Sequence, residues 1–382
     1  MAIYNYTEKY DKFINIDIDS IFSLSTIMLT PKYYYNRFNL LNNNTTYNFK
    51  NLNSVPKFKC ENNNIEEICD IVVEKYINYC NKNNKIIAIL WSGGVDSTCT
   101  LVSFLKNKNL NLNKFIVLYT QLSINENQYF FDNYIKNKIK SKKFNNVEFD
   151  SFINSLINND NYLFVSSQCG DQLFGSTFCK SKNSVKYYFM PWEEALREIY
   201  NNHDYSNFIP KYKYKEIIFY KHLAIYKRFI KDLNLNIRYF YQFSWLLDFS
   251  FKWNYVRYEN PILIGNNYLA DNYKPFFEDM LFQEWGINNI INNIHKNNMY
   301  FDKQYYKLQL KDIIYKYDNN RDYYINKGKT ITGIFRITNK NFKNVINIYD
   351  NNGINHYKLN DDDNNEENTY NSVIKLLAKY KK

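Results

Sequence analysis

Lys85-Ile86-Ile87-Ala88-Ile89-Leu90-Trp91-Ser92-Gly93-Gly94-Val95-Asp96-Ser97-Thr98 is the stretch on which the fold turns. Its first half is a continuous apolar run of strand length, the pattern of a parallel strand buried on both faces; a half-exposed strand would alternate. Two glycines follow at once, and helical spacing begins at Val95 and runs to about residue 106. A buried strand, a glycine turn and a helix in that order bring unpaired backbone N–H groups and the positive end of a helix dipole to one point, which suits a polyphosphate. Gly93 and Gly94 let the backbone approach phosphate oxygens closely, because neither carries a Cβ. Ser92, Ser97 and Thr98 add hydroxyl donors, and Asp96 is a hard oxygen ligand suited to the Mg²⁺ that bridges phosphate groups. A Walker A loop needs a lysine in this turn, and none is present, so a P-loop NTPase is disfavoured. The plain alternative is a turn with a Ser or Asp helix cap.

Working outward, Ile65, Ile68, Val72, Val73, Tyr76, Ile77 and Cys80 recur at helical spacing, and the run ends at Asn81 to Asn84. Downstream, the pattern predicts a strand over 112–119, a helix over 128–140, a helix over 152–157 and a strand over 162–165. Strands alternating with helices imply an α/β fold with a mostly parallel, doubly wound sheet. Beyond Pro191, helical patterns over 192–200, 215–233, 239–251, 276–285 and 305–317 suggest an added helical layer. Residues 1–60 alternate in short runs around the turn-prone 42–46, as expected of a small β-containing element. After residue 330, β-like runs over 331–338, 345–349 and 354–359 lead through an acidic stretch to a helix over 371–379. The reading therefore divides the chain into 1–60, 61–330 and 331–382.

The bulk properties narrow the classes. A chain of 382 residues with 45% hydrophobic and 19% aromatic content can build a core without staples. The net charge of +11 allows a polyanionic partner, but the lysines are scattered along the sequence, so a solvated basic surface is favoured over nucleic-acid binding. Six cysteines without a CxxC pair and four histidines give no zinc-ligand spacing. No window approaches the ~18 apolar residues that span a bilayer, and no secretory leader is recognisable. These features predict a cytoplasmic, reduced, soluble protein with no membrane partner; they set no oligomeric state.

A second segment carries chemistry: Ser166-Ser167-Gln168-Cys169-Gly170-Asp171-Gln172-Leu173-Phe174-Gly175-Ser176, directly after the strand at 162–165. An Asp in a glycine-flanked loop is on its own more often a cap than a ligand. Its pairing with Asp96 favours the ligand.

Residues 92–97 resemble the SGGxDS signature of the N-type ATP-pyrophosphatases, the PP-loop superfamily of asparagine synthetase, GMP synthetase, NAD synthetase, argininosuccinate synthetase and several tRNA-thiolating enzymes. The second segment is similar to the G-E/Y-G-S-D-E-L-F-G-G motif of asparagine and β-lactam synthetases. The resemblance runs from about residue 65 to 315. It implies an adenine nucleotide α-hydrolase-like fold and an ATP site formed by Ser92, Gly93, Gly94, Val95, Asp96, Ser97, Thr98, Gly170 and Asp171. It implies Mg²⁺ held by Asp96 and Asp171, and cleavage of ATP to AMP and pyrophosphate as a carboxylate is activated for amide or other C–N bond formation with ammonia or an amine.

Two weaker segments extend it. Tyr273-Lys274-Pro275-Phe276-Phe277-Glu278-Asp279 resembles R-x-PFLD, with Arg257 as a candidate for the family's preceding arginine. Asp302-Lys303-Gln304-Tyr305-Tyr306-Lys307-Leu308 resembles E-K-x-x-L-R, which puts Lys303 on the catalytic lysine. Two positions depart from the family: Gln168 replaces a Glu or Tyr that helps activate the amine, and Gln172 replaces a Glu. A glutamine cannot take a proton. Residue 2 is Ala, and only about 90 residues precede the ATP loop, so the resemblance implies a separate glutaminase or ammonia source. A nucleobase- or tRNA-modifying PP-loop enzyme and a non-catalytic ATP-binding module are the alternatives.

Overall fold

The computed structural model describes residues 2–7, 64–144, 161–174, 189–201, 235–247, 272–289, 307–328, 344–349 and 355–360, with isolated positions between 187 and 253. Its elements in chain order begin with β1 (Ala2–Thr7), α1 (Ile65–Lys82), β2 (Ile86–Leu90), α2 (Val95–Leu105) and β3 (Phe115–Thr120). Then come α3 (Gln121–Glu126), α4 (Gln128–Phe130, continued by a π turn Phe131–Ile135), β4 (Ser141–Phe144), β5 (Tyr162–Ser166), α5 (Gly170–Phe174) and α6 (Trp192–Asn201). The remainder is α7 (Phe240–Leu247), β6 (Tyr273–Pro275), α8 (Met280–Ile287), α9 (Leu308–Asp318), α10 (Arg321–Asn326), β7 (Asn344–Tyr349) and β8 (Asn355–Asn360).

The apolar run at 86–90 forms the middle strand of a five-stranded sheet of order β4-β3-β2-β5-β6. Every pairing in it is parallel: Ile89 lies opposite Val117 and Val165, and Phe164 opposite Tyr273. A parallel strand flanked on both edges must bury both faces, and the alternation inside the run sorts them. Ile87 and Ile89 join Phe115, Val117, Leu163 and Val165 under α1 and α2. Ala88 and Leu90 join Ile116, Leu118, Phe164 and Tyr273 on the opposite face. Helix α1 turns Ile68, Cys69, Val72 and Val73, all fully buried, onto the first face, and Asn64 caps it through the Glu66 N–H. The fold is thus α/β with an all-parallel sheet and helices packed on it.

The chain leaves β2 for β3 and β4 on one side, then returns to β5 and β6 on the other. Strand order therefore reverses between β2 and β5, whose carboxyl ends are neighbours. In open parallel sheets this is where a crevice forms and ligands bind.

Three local expectations change. The helix expected over 128–140 ends at Ile135, because Lys136 turns extended (ψ 121) and Asn137 takes a left-handed φ of 59. The following Ser141-Lys142-Lys143-Phe144 pairs as edge strand β4, a run whose only apolar residue, Phe144, gives no alternation to read. Tyr273–Pro275 forms a strand for which no element was predicted, and the helix expected from 276 starts at Met280, because Asp279 caps it through the Leu281 N–H. Among the described residues of the two ends, β1 pairs antiparallel with β7 (Ile3 opposite Ile348), and β7 with β8, so both ends of the chain share one three-stranded sheet. The runs expected within 8–60, the helices over 152–157 and 371–379, and the β-like run over 331–338 lie outside the described residues.

Candidate functional site

The first loop is tied off mainly by its own side chains. Ser97 Oγ accepts from the Ser92 N–H at 3.1 Å, lies 2.9 Å from Ser92 Oγ and donates to the Gly94 carbonyl at 3.1 Å. Gly93 has φ +78, and a Cβ there would lie 2.4 Å from the Ser123 carbonyl oxygen and 2.8 Å from Glu126 Cβ. The loop therefore rests directly on α3, which a Thr120–Ser123 capping box starts at the end of β3. Only glycine satisfies both the dihedral and the space. Gly94 differs: its φ is −73, and a Cβ would meet only Ser92 Oγ at 3.5 Å. Val95 begins α2 and is buried; Thr98 is also buried, and its Oγ1 accepts from the Trp91 indole N–H at 3.1 Å. Thr98 thus supports the loop from the core side, whereas Ser92 and Gly94 keep partial exposure.

A contact from much later in the chain closes the loop from below. The Tyr323 hydroxyl donates to the Gly93 carbonyl at 3.0 Å. Burial drives this phenol far above its ordinary range, despite an opposing hydrogen bond with Thr98, so it stays a donor at any physiological pH. Beside it Lys327 pairs with Glu126, the residue that packs on Gly93.

The second loop reaches the first through α5. Cys169, buried and non-glycine, takes φ 70, which turns the chain so that Gly170 begins α5 against α2. A Cβ on Gly170 would lie 2.7–2.9 Å from the carboxylate atoms of Asp96. Glycine at 170 is thus needed for close approach, and the left-handed residue is its neighbour. Ser167 Oγ donates to Thr100 Oγ1 at 3.0 Å, and Thr100 donates to the Asp96 carbonyl at 3.0 Å, which locks the loops together. Gln168 is turned the other way: its Oε1 accepts from Tyr273 Oη at 2.9 Å.

The two carboxylates meet around one cation. Lys307 Nζ lies 2.6 and 2.5 Å from the two oxygens of Asp96 and 2.7 Å from Asp171 Oδ1. The Lys307 side chain is fully buried, whereas Asp96 and Asp171 keep 22% and 32% of theirs exposed, so the ammonium enters from the core and the carboxylates face outward. Lys307 stands just before α9 with left-handed backbone (φ 48, ψ 45) and makes no side-chain cap there.

This geometry brings together Ser92, Gly93, Gly94, Asp96, Ser97, Gly170 and Asp171. Lys303, Arg257 and Gly175 lie outside the described residues. The cation that the sequence reading missed is Lys307, four residues beyond Lys303. Its signal was in the same segment, because Lys307, Leu310 and Lys311 also repeat the K-x-x-L-basic spacing of the family run. Asp279 binds within the scaffold, pairing with Lys75 at 2.9 Å as it caps α8. Cys69, Cys80, Cys99 and Cys169 are buried as thiols.

Two carboxylates converging within hydrogen-bond distance of a single cation position, with their outer side open, fit a Mg²⁺ that completes its oxygen shell from phosphates and water. No group of three or more His, Cys, Asp or Glu among the described residues could hold a metal by itself, and no described helix is long and apolar enough to cross a membrane. No protein-family model and no curated protein matches this chain.

Proposed function

We propose that the chain is an ATP-pyrophosphatase of the asparagine synthetase type, with an adenine nucleotide α-hydrolase-like core, that activates a carboxylate as its adenylate and forms an amide or other C–N bond. One observation carries the reading: the loops after β2 and β5 meet at the sheet's reversal point and bring Asp96 and Asp171 to one cation position beside a glycine turn. That is the pair of carboxylates, at the pair of loops, that both sequence resemblances require.

In this reading the N–H groups of 93–95 and the Ser92 hydroxyl hold the pyrophosphate portion of ATP, and Gly94 leaves room for its oxygens. Asp96 and Asp171 would hold Mg²⁺, which when bound neutralises charge on the departing pyrophosphate. A substrate carboxylate oxygen bonds to the α-phosphorus as the bond to the β-phosphate bridge breaks. Ammonia or an amine then bonds to the acyl carbon, AMP leaves, and the amine's proton passes to solvent. Lys307, buried at the junction, supplies the fixed positive charge that stabilises the α-phosphate and the acyl oxygen as they gain charge. Gln168 cannot serve as a base, and its amide oxygen is already taken by Tyr273.

MgATP incubated with the protein, ammonium and a metabolite extract should give AMP and pyrophosphate, and Asp96→Asn or Asp171→Asn should abolish both. Formation of ADP instead, or an unchanged rate in either variant, refutes the assignment. The engaged Gln168 favours, as a second reading, an ATP-binding module without turnover; tight MgATP binding with no AMP from any fraction supports that one.

A further inference from the structure

Gly93 and Gly94 share a peptide unit whose two ends face opposite sides of the loop. In a trans peptide the C=O and the following N–H point in opposite directions, so whatever holds the Gly93 carbonyl also aims the Gly94 N–H. The carbonyl is held from the core side: it accepts from Tyr323 Oη at 3.0 Å, and Gly93 is itself buried. The N–H lies towards the partly exposed side, where its contact with Ser92 Oγ is long, at 3.4 Å. The next unit is set the same way, since the Gly94 carbonyl accepts from the Thr98 N–H at 2.9 Å and from Ser97 Oγ at 3.1 Å. Helix α2 supplies that second anchor, and α10, far along the chain, supplies the first. Glycines on both sides of the unit, neither with a Cβ, would otherwise let its plane turn over at low cost and present a carbonyl dipole to an approaching anion.

The anchor also has a fixed sense. The Trp91 indole N–H can only donate, and it donates to Thr98 Oγ1 at 3.1 Å. Thr98 hydrogen-bonds in turn with the Tyr323 hydroxyl, and the Gly93 carbonyl at the far end can only accept. Each proton in the chain therefore points towards Gly93. All four residues are buried, and bonds in such a chain polarise and strengthen one another. Tyr323 is placed by its own helix, where Asn320 Oδ1 accepts its N–H at 3.1 Å, and it stands beyond the part of the chain that resembles the synthetases.

Resting on the reading of residues 92–98 as a phosphate loop, we propose that Tyr323 is a positioning residue: by holding the Gly93 carbonyl inward it turns the Gly94 N–H outward as a donor to a pyrophosphate oxygen. It touches no phosphate itself and acts through one peptide plane.

The sequence offers a direct view of that plane. Gly93-Gly94 is the one Gly-Gly pair among the 9 glycines of the chain, so protein made with carbonyl-¹³C, amide-¹⁵N glycine gives a single carbonyl-to-amide NMR correlation, which reports both ends of this unit. The first arm needs no variant: magnesium pyrophosphate should move the Gly94 amide proton of wild type downfield. Binding seen by calorimetry without that movement overturns the proposal and leaves a phosphate site, whereas no binding removes the phosphate reading and the proposal with it. In the second arm Tyr323→Phe, which deletes only the hydroxyl, should shift the Gly93 carbonyl carbon upfield and weaken magnesium pyrophosphate binding about tenfold, the loss of one well-aimed hydrogen bond to a charged group. A folded Tyr323→Phe protein that melts lower but binds magnesium pyrophosphate as wild type does makes the hydroxyl a structural contact only, which overturns the proposal while the phosphate site stands.

Discussion

Gly93 and Gly94 are adjacent in sequence and different in kind. At Gly93 a methyl group would need φ +78 and would overlap the Ser123 carbonyl at 2.4 Å, so Gly93→Ala should cost about 2–3 kcal/mol of stability, near the upper end for point changes. At Gly94 the methyl finds only Ser92 Oγ at 3.5 Å, so the fold accepts it. The methyl then stands where phosphate oxygens would come. Gly94→Ala should melt within a few degrees of wild type while its affinity for MgATP falls by about tenfold, or ~1.4 kcal/mol. Calorimetric melting and nucleotide titration separate the two effects, and a Gly94→Ala protein with full affinity would show that phosphate does not approach this turn. Gly170 belongs with Gly93 in needing to be small, but the surface it spares is the Asp96 carboxylate rather than backbone.

At the scale of elements, the corner between α9 and α10 docks the late helices onto α4. Tyr129 and Tyr134 hydroxyls both donate to the Asp318 carbonyl, at 3.2 and 3.4 Å. The Asp318 side chain is buried; Oδ1 accepts from the Asn320 N–H at 2.9 Å, and Oδ2 has no hydrogen-bond partner. Burial raises its pKa, only partly offset by that backbone bond. A carboxyl with a raised folded-state pKa stabilises most below its unfolded value and loses that contribution as pH climbs through the folded one. Asp318→Asn, which keeps an acceptor and drops the charge, should therefore be more stable than wild type at neutral pH by about 1 kcal/mol. The advantage should fade as pH falls and the wild-type carboxyl takes up its proton. Melting temperatures across the acid range check this, and a pH-independent difference would refute it.

Elements were legible where burial fixes the pattern. The run 86–90 reads as an inner strand and is one, and Asp96 and Asp171, singled out by the motifs that follow the strands at 86–90 and 162–166, come together in the structure. What stayed hidden is set by tertiary context. Strand β4 is an edge with one apolar residue, so its pairing with β3 leaves no periodic trace. Lys307 was hidden by abundance: several lysines lie within a few residues, Lys307 and Lys311 are both buried, and only their partners tell them apart, Asp96 and Asp171 for Lys307 and the Tyr324 carbonyl for Lys311. Cys169 hid the left-handed turn because sequence rules look for glycine there and found it one residue later.

At the scale of the molecule, the sheet converts sequence distance into contact. The reversal between β2 and β5 sets two loops side by side, and the joint sheet β1-β7-β8 does the same for the two ends of the chain. A chain lacking residues 2–7 would leave β7 with an unpaired edge and only β8 beside it, and an isolated two-stranded ribbon is marginal in water. Such a truncation should be cut by protease within 344–360 several times faster than the full chain and should associate more readily; light scattering and limited proteolysis test it. Unchanged cleavage there would mean that β1 contributes nothing to the stability of that sheet.

The ion pair at the centre of the site also sets a schedule. Asp96 and Lys307 are 211 residues apart, so at roughly 5–20 residues per second the ribosome releases the lysine about 10–40 s after the aspartate. By then every strand of the parallel sheet has been made, since its last one ends at Pro275. The nascent chain thus passes through a stage in which every strand of that sheet has been made and Asp96 and Asp171 still await Lys307.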